Sequence, residues 1–337
     1  MDRHKKSHLV ITATFVVIGL VATVGIIAVA LRGVRSDGSA HGIGGDSVSG
    51  GPPSWMIVGM DGPPAERIAT AEKIGAQKNL AGLAVLERGA ASDPDPAVKI
   101  ACLNALGELR NPGPTPAIRV LGGHGDPGVR AAAAEALGKI ESDLALPALL
   151  RLAKDGDAHV RSAGASALAT KDDESAAKAL MVLSGDGQAG VRLSAVGAAA
   201  RRTDVISRQA LANRAAQDRD NGVRTVAAAA LREIGAEATP YLVRALPSSE
   251  SPEGRQLGVD LAVELGGTNS IEGLLSAIEK AQAKSSIAGS DLSERAAKAL
   301  ARLGPEGVPA LITAASASGR TIFGREAAEA AVKRINP

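Results

Sequence analysis

Asp126-Pro127-Gly128-Val129-Arg130-Ala131-Ala132-Ala133-Ala134-Glu135-Ala136-Leu137-Gly138 is the stretch that decides the fold. Aspartate is a strong helix N-cap, because its carboxylate accepts the free amides of the first turn. Proline suits the position that follows, having no amide to leave unpaired. Beyond the cap, Val129, Ala132, Ala133, Ala136, Leu137 and Ile140 fall at spacings of three, one, three, one and three. That places them on one stripe of a helix. Gly138 falls near the helix end, as Gly75, Gly107 and Gly235 do in similar stretches.

The stretch recurs. Asp95-Pro96-Ala97-Val98-Lys99, Asp157-Ala158-His159-Val160-Arg161, Gln188-Ala189-Gly190-Val191-Arg192 and Asp220-Asn221-Gly222-Val223-Arg224 carry the same marker. Their basic residues, with Arg130, are 31, 31, 31 and 32 positions apart. Weaker copies end in Arg67, Arg255, Arg295 and Arg325, which gives about nine units over residues 61–337. Each marker helix is followed by a second apolar segment, such as Leu146–Leu152, Thr239–Leu246 and Val308–Ile312, with proline again where a helix begins. A fixed period of helix, turn, helix, turn is the signature of a stacked array, in which no unit can cover its apolar faces alone. Composition agrees. Apolar residues make up 45% of the 337 residues but aromatics only 1%, so alanine, leucine and valine must fill the core.

The pattern Asp-Pro-x-Val-Arg-x-x-Ala-x-x-Ala-Leu-Gly resembles the short HEAT repeats, also called phycobilisome-lyase-type HEAT-like repeats. The resemblance implies an all-α fold, an α-solenoid of about nine two-helix HEAT-like repeats. It also implies a ladder between units, in which Asp95, Asp126, Asp157 and Asp220 pair with Lys99, Arg130, Arg161, Arg192 and Arg224. Gln188 departs from that pattern and loses a charge. In such arrays the second helices line the concave face. The second segments here carry Arg119, Arg151, Lys178, Arg214 and Arg244 at similar places, a candidate partner-binding ridge that is either a grip for an acidic partner or a solvated face.

Ahead of the repeats, Leu9–Leu31 is uncharged for 23 residues. As a helix it spans roughly 34 Å, enough for a bilayer core of about 30 Å. Arg3, Lys5 and Lys6 precede it, and Arg32 and Arg35 follow. The excess on the first side favours a cytoplasmic tail (1–8), a transmembrane helix (9–31) and a repeat domain facing the extracytoplasmic space, in a single-pass protein of the cell membrane. Cleavage after Ala28-Val29-Ala30 is the competing reading and sends the body the same way. Residues 32–60, rich in Gly, Ser and Pro, read as a flexible linker. The island Trp55-Met56-Ile57-Val58 either packs on the first repeat or docks a partner.

Signals for chemistry are weak. Outside residues 1–55 the chain has 33 basic and 33 acidic side chains, so no broad field favours nucleic acid. Cys102, the single cysteine, reads as a small buried hydrophobe. His124 and His159 sit in turns, and three or four converging ligands are needed for a metal. Asp218–Gly222 opens like a calcium loop, but Ala229 stands where the closing glutamate belongs. The extra length near Lys280–Ser290 reads as a projecting polar loop. The expected function is therefore a membrane-anchored scaffold that binds other proteins, without cofactor or metal and without catalysis. The alternatives are a bilin lyase-like, tetrapyrrole-holding subunit and a structural subunit of an envelope complex.

Overall fold

In the computed structural model, residues 52–316 and 321–337 are described. The expected tail at 1–8, the membrane helix at 9–31 and the linker as far as residue 51 lie outside the described residues. Among the described residues every regular element is helical, and no helix is long and apolar enough to cross a membrane.

Helix α1 (Ser54–Asp61) comes first. Eight pairs follow: α2 (Pro64–Ala76) with α3 (Leu83–Ser92), α4 (Pro96–Leu109) with α5 (Thr115–Leu121), α6 (Pro127–Lys139) with α7 (Leu146–Leu152), and α8 (Ala158–Leu168) with α9 (Glu174–Leu183). Then come α10 (Ala189–Ala199) with α11 (Val205–Gln217), α12 (Asn221–Ile234) with α13 (Thr239–Ala245), α14 (Pro252–Gly266) with α15 (Ser270–Lys284), and α16 (Ser286–Leu300) with α17 (Val308–Ser316). The last helix, α18 (Ile322–Ile335), is the first member of a ninth unit. The architecture is an α-solenoid: each first helix packs on the second helix of the unit before it and on the first helix of the next unit.

The sequence explains the elements. Asp95, Asp126, Asp157 and Asp220 each accept a backbone amide two or three residues on, so all four are N-caps. Pro96 and Pro127 open their helices, and Pro116, Pro147, Pro240 and Pro309 lie in the first turns of second helices. The stripe on α6 is buried throughout: Val129, Ala132, Ala133, Ala136, Leu137 and Ile140. Ala131 and Ala134 are buried too, because α6 is covered by α4 on one flank and α8 on the other.

Three glycines expected near helix ends have a different role. Gly75, Gly107 and Gly138 lie inside or at the edge of first helices, where a Cβ would meet Ala105, Ala136 and Ala167 of the next first helix at 2.9, 3.0 and 2.8 Å. Glycine there lets two helix backbones approach within the reach of a methyl group. Gly235 behaves as expected, closing α12 with φ +74°.

Two boundaries differ from expectation. The linker expected over residues 32–60 ends earlier: residues 54–61 form α1, which packs on α2 with Met56 fully buried. Lys73 lies over the Trp55 ring, 4.1 Å from its centre. The island was apolar enough to fold onto the first unit. Nor is there a projecting loop at 280–290: α15 and α16, each 15 residues, absorb the extra length. Arg295 then falls in the second half of α16 rather than its first turn.

The core is divided at α10. Val191, Ala195 and Ala198 belong to the cluster that runs back to Met56, whereas Val196 and Ala199 belong to the cluster that runs on to Ala331.

Leu137→Ala removes a fully buried side chain between two neighbours, and we expect a loss of roughly 2–5 kcal/mol in urea denaturation. Gly138→Val, with its Cβ against the Ala167 backbone, should also lower the midpoint. An unchanged midpoint for either would contradict the packing described.

Candidate binding surface

The ladder between units exists, but its acids differ from those expected. The cap carboxylates are occupied by their own helix amides. The basic residues instead reach the aspartate two positions before the next cap. Arg67 forks onto Asp93, Arg130 onto Asp155, Arg161 onto Asp186 and Arg192 onto Asp218, with both contacts between 2.8 and 3.0 Å. Each aspartate also accepts the amide of the residue two further on: Asp95, Asp157, Gln188 and Asp220. The guanidinium meanwhile donates to carbonyls of its own turn, such as His124 and Gly125 for Arg130. One side chain therefore ties two successive turns together. Bidentate, charge-assisted contacts of this kind are the strong ones.

Two rungs are missing, each for a visible reason. His124 occupies the aspartate position facing Lys99; its Nδ1 accepts the Asp126 amide, and Lys99 donates to the carbonyls of Ala90 and Ala91. Ser249 occupies it facing Arg224, which keeps only the carbonyls of Asp218 and Arg219 and the Asn221 side chain. At the next junction Arg255 finds Asp291 instead. The acids left a sequence signal: Asp155, Asp186 and Asp218 recur at the repeat period, six residues before the next arginine.

The forks shift titration. The Arg130 and Arg161 forks hold the carboxyls of Asp155 and Asp186 below the ordinary range. For Asp218, burial pushes the pKa up, but the Arg192 fork and the Asp220 amide outweigh it and the net shift is down.

The expected basic ridge divides. Val120, Arg151, Val182 and Arg214 occupy equivalent places, four residues before His124, Asp155, Asp186 and Asp218. Arg214 is drawn in beside Asp218, 3.6 Å away, and burial lowers its pKa. Lys178 is neutralised by Glu174 at 2.6 Å. Arg151 and Arg119 lie together, with Arg151 Nη2 donating to the Arg119 carbonyl at 3.2 Å; neither guanidinium has an ion pair among the described residues. Arg244 is exposed at the end of α13. Beside the arginines stand Val120 and Val182, 76% and 75% exposed, which the sequence pattern does not single out.

With these units in view, the family profile described as HEAT repeats matches residues 83–169 and 151–232. Residues 83–232 are thus similar to HEAT repeats. No curated protein matches the chain. Among solved structures, human deoxyhypusine hydroxylase is similar at 19% identity, covering 78% of this chain and 99% of that one, with a TM-score of 0.34. The complex of CpcE and CpcF of phycocyanin lyase from Nostoc is similar at 19% identity, covering 78% and 100%, with a TM-score of 0.43. An engineered protein is similar at 18% identity, covering 84% and 88%, with a TM-score of 0.44.

The remaining reactive groups are committed. Cys102 is buried, and burial first, then Asp93, pushes its thiol up to about 12. Among the described residues no three His, Cys, Asp or Glu side chains converge on a metal position. Asp218, the first residue of the calcium-like stretch, has its carboxylate taken by Arg192.

Because Asp155 and Asp186 are depressed in the fold, they stabilise it above the ordinary aspartate pKa of about 4, and that contribution fades as pH falls through their folded values. Asp186→Asn should cost about 2 kcal/mol at pH 7, with the gap to the parent closing below about pH 4. Urea titrations across pH test this; a gap independent of pH would refute the ladder's charge role.

Proposed function

We propose that the chain is a membrane-anchored, non-catalytic scaffold that binds partner proteins through the second helices of its HEAT repeats. The observation that carries the reading is the surface of α5, α7 and α9. It presents two largely exposed valines, Val120 and Val182, beside the guanidiniums of Arg119 and Arg151, which have no ion pair among the described residues. An apolar patch set among cations suits an amphipathic, acidic segment of another protein. Exposed valines flanking arginine bury area on binding without leaving a carboxylate partner unsatisfied.

In this reading residues 9–31 are the transmembrane helix, with the first eight residues cytoplasmic and the repeats extracytoplasmic. The basic excess before Leu9 supports the orientation. Holding a binding face near a bilayer raises its effective concentration toward partners in the same membrane.

Photocrosslinking from position 182 in intact membranes should trap a discrete partner. The pair Arg119→Glu and Arg151→Glu should cut that yield about tenfold while leaving thermal unfolding unchanged, since both side chains lie outside the ladder. Alkaline carbonate should leave the chain in the membrane pellet. A yield indifferent to the two reversals would remove the docking face; release by carbonate would remove the anchor.

A further inference from the structure

Each second helix offers one outward position at the same place in its unit. From α5 to α9 these positions hold Val120, Arg151 and Val182, all three exposed. Successive members are 31 residues apart, the repeat period, so they form a row across three neighbouring helices. The helices adjoin. A Cβ added to Gly122 at the end of α5 would lie 3.4 Å from Leu152 Cδ1 of α7, and α7 packs on α9. Packed helices lie about 8–10 Å apart axis to axis, so the row steps by about 9 Å. Arg151 leans back toward α5, over the bare Gly122, and donates to the Arg119 carbonyl at 3.2 Å.

A ligand that meets all three points must show one face at the same step. A β-strand returns its face every two residues, or about 6.6 Å, and falls out of step after one unit. An α-helix returns its face every turn of about 5.4 Å. It would press side chains between the units, where Arg151 already crosses from α7 to α5. A polyproline II segment has three residues per turn and rises about 3.1 Å per residue, so its face returns every ~9.3 Å. That is the step of the row. Such a segment is also extended before it binds, so little ordering is needed.

We propose that the face of α5, α7 and α9 takes a polyproline II segment of a partner protein, with an aliphatic residue, a glutamate and a second aliphatic residue at every third position. This rests on the reading of that face as the docking surface and adds the conformation and spacing of its occupant. The aliphatic side chains lie on Val120 and Val182. The glutamate meets Arg151, which has no ion pair among the described residues. Because the guanidinium leans toward α5, a glutamate reaches it where an aspartate falls short. The pattern ends at the next unit, since the equivalent residue there, Arg214, is drawn to Asp218 at 3.6 Å. Seven residues of ligand therefore complete the contact.

Fluorescence anisotropy on the full-length chain tests this with a labelled heptapeptide, Val-Pro-Pro-Glu-Pro-Pro-Val, blocked at both ends. It should bind saturably. One proline inserted after the glutamate turns the last valine a third of a turn away from the face, and should weaken binding about tenfold. Arg151→Gln in the protein should weaken the heptapeptide about tenfold as well. Arg151 is exposed, so the thermal midpoint of that variant should match the parent. Arg244→Gln, beyond the row, should leave binding unchanged. Equal affinity for the lengthened peptide would overturn the spacing, and preference for an acidic amphipathic helix of about fifteen residues would overturn the conformation; both outcomes leave the docking face standing. Heptapeptide binding indifferent to Arg151→Gln would place the site elsewhere and overturn the proposal. No saturable binding of heptapeptide or helix at about 1 mM would overturn the proposal and the docking face together.

Discussion

Everything in this fold depends on first helices lying close enough to touch. A core of alanine, valine and leucine gains little from each side chain, so backbones must come near for the contacts to add up. The sequence achieves this by placing glycine on one helix opposite alanine on the next, as in Gly75 with Ala105, Gly107 with Ala136 and Gly138 with Ala167. Larger residues at these points would push the units apart and uncover apolar faces that a single hairpin cannot hide.

Close packing alone leaves the turns free to slide, and the arginine forks prevent that. Each fork joins an arginine in the first turn of one unit to the turn that opens the next, and takes up both oxygens of its aspartate. The second helices serve a different end. They vary in length, and their outward positions differ from unit to unit, with valine at 120 and 182 and arginine at 151 and 214 where the first helices keep to one pattern. Regularity on one side and variety on the other is the division expected when one layer holds the array together and the other meets partners.

Much of this was legible in the residues. The 31-residue period, the caps at Asp95, Asp126, Asp157 and Asp220, the stripe on α6 and the buried Cys102 follow from local chemistry that the array preserves. The ladder's partners were misread because aspartates two residues apart, such as Asp155 and Asp157, offer the same chemistry; only the fold shows that the nearer one is spent on its own helix. The ridge is only partly legible for a related reason. Arg214 and Lys178 are basic in sequence but meet Asp218 and Glu174, while the exposure of Val120 and Val182 depends on how far each second helix is covered by its neighbours.

The division of the core at α10 has a mechanical meaning. That helix turns Val191, Ala195 and Ala198 toward one cluster and Val196 and Ala199 toward the other, and it buries no leucine, its Leu193 being 41% exposed. Adhesion is therefore lighter along its length than along α4 or α6, which bury leucine. A chain anchored at one end and loaded at the other would tear at this seam first, leaving two intact blocks on either side rather than a wholly unravelled strand.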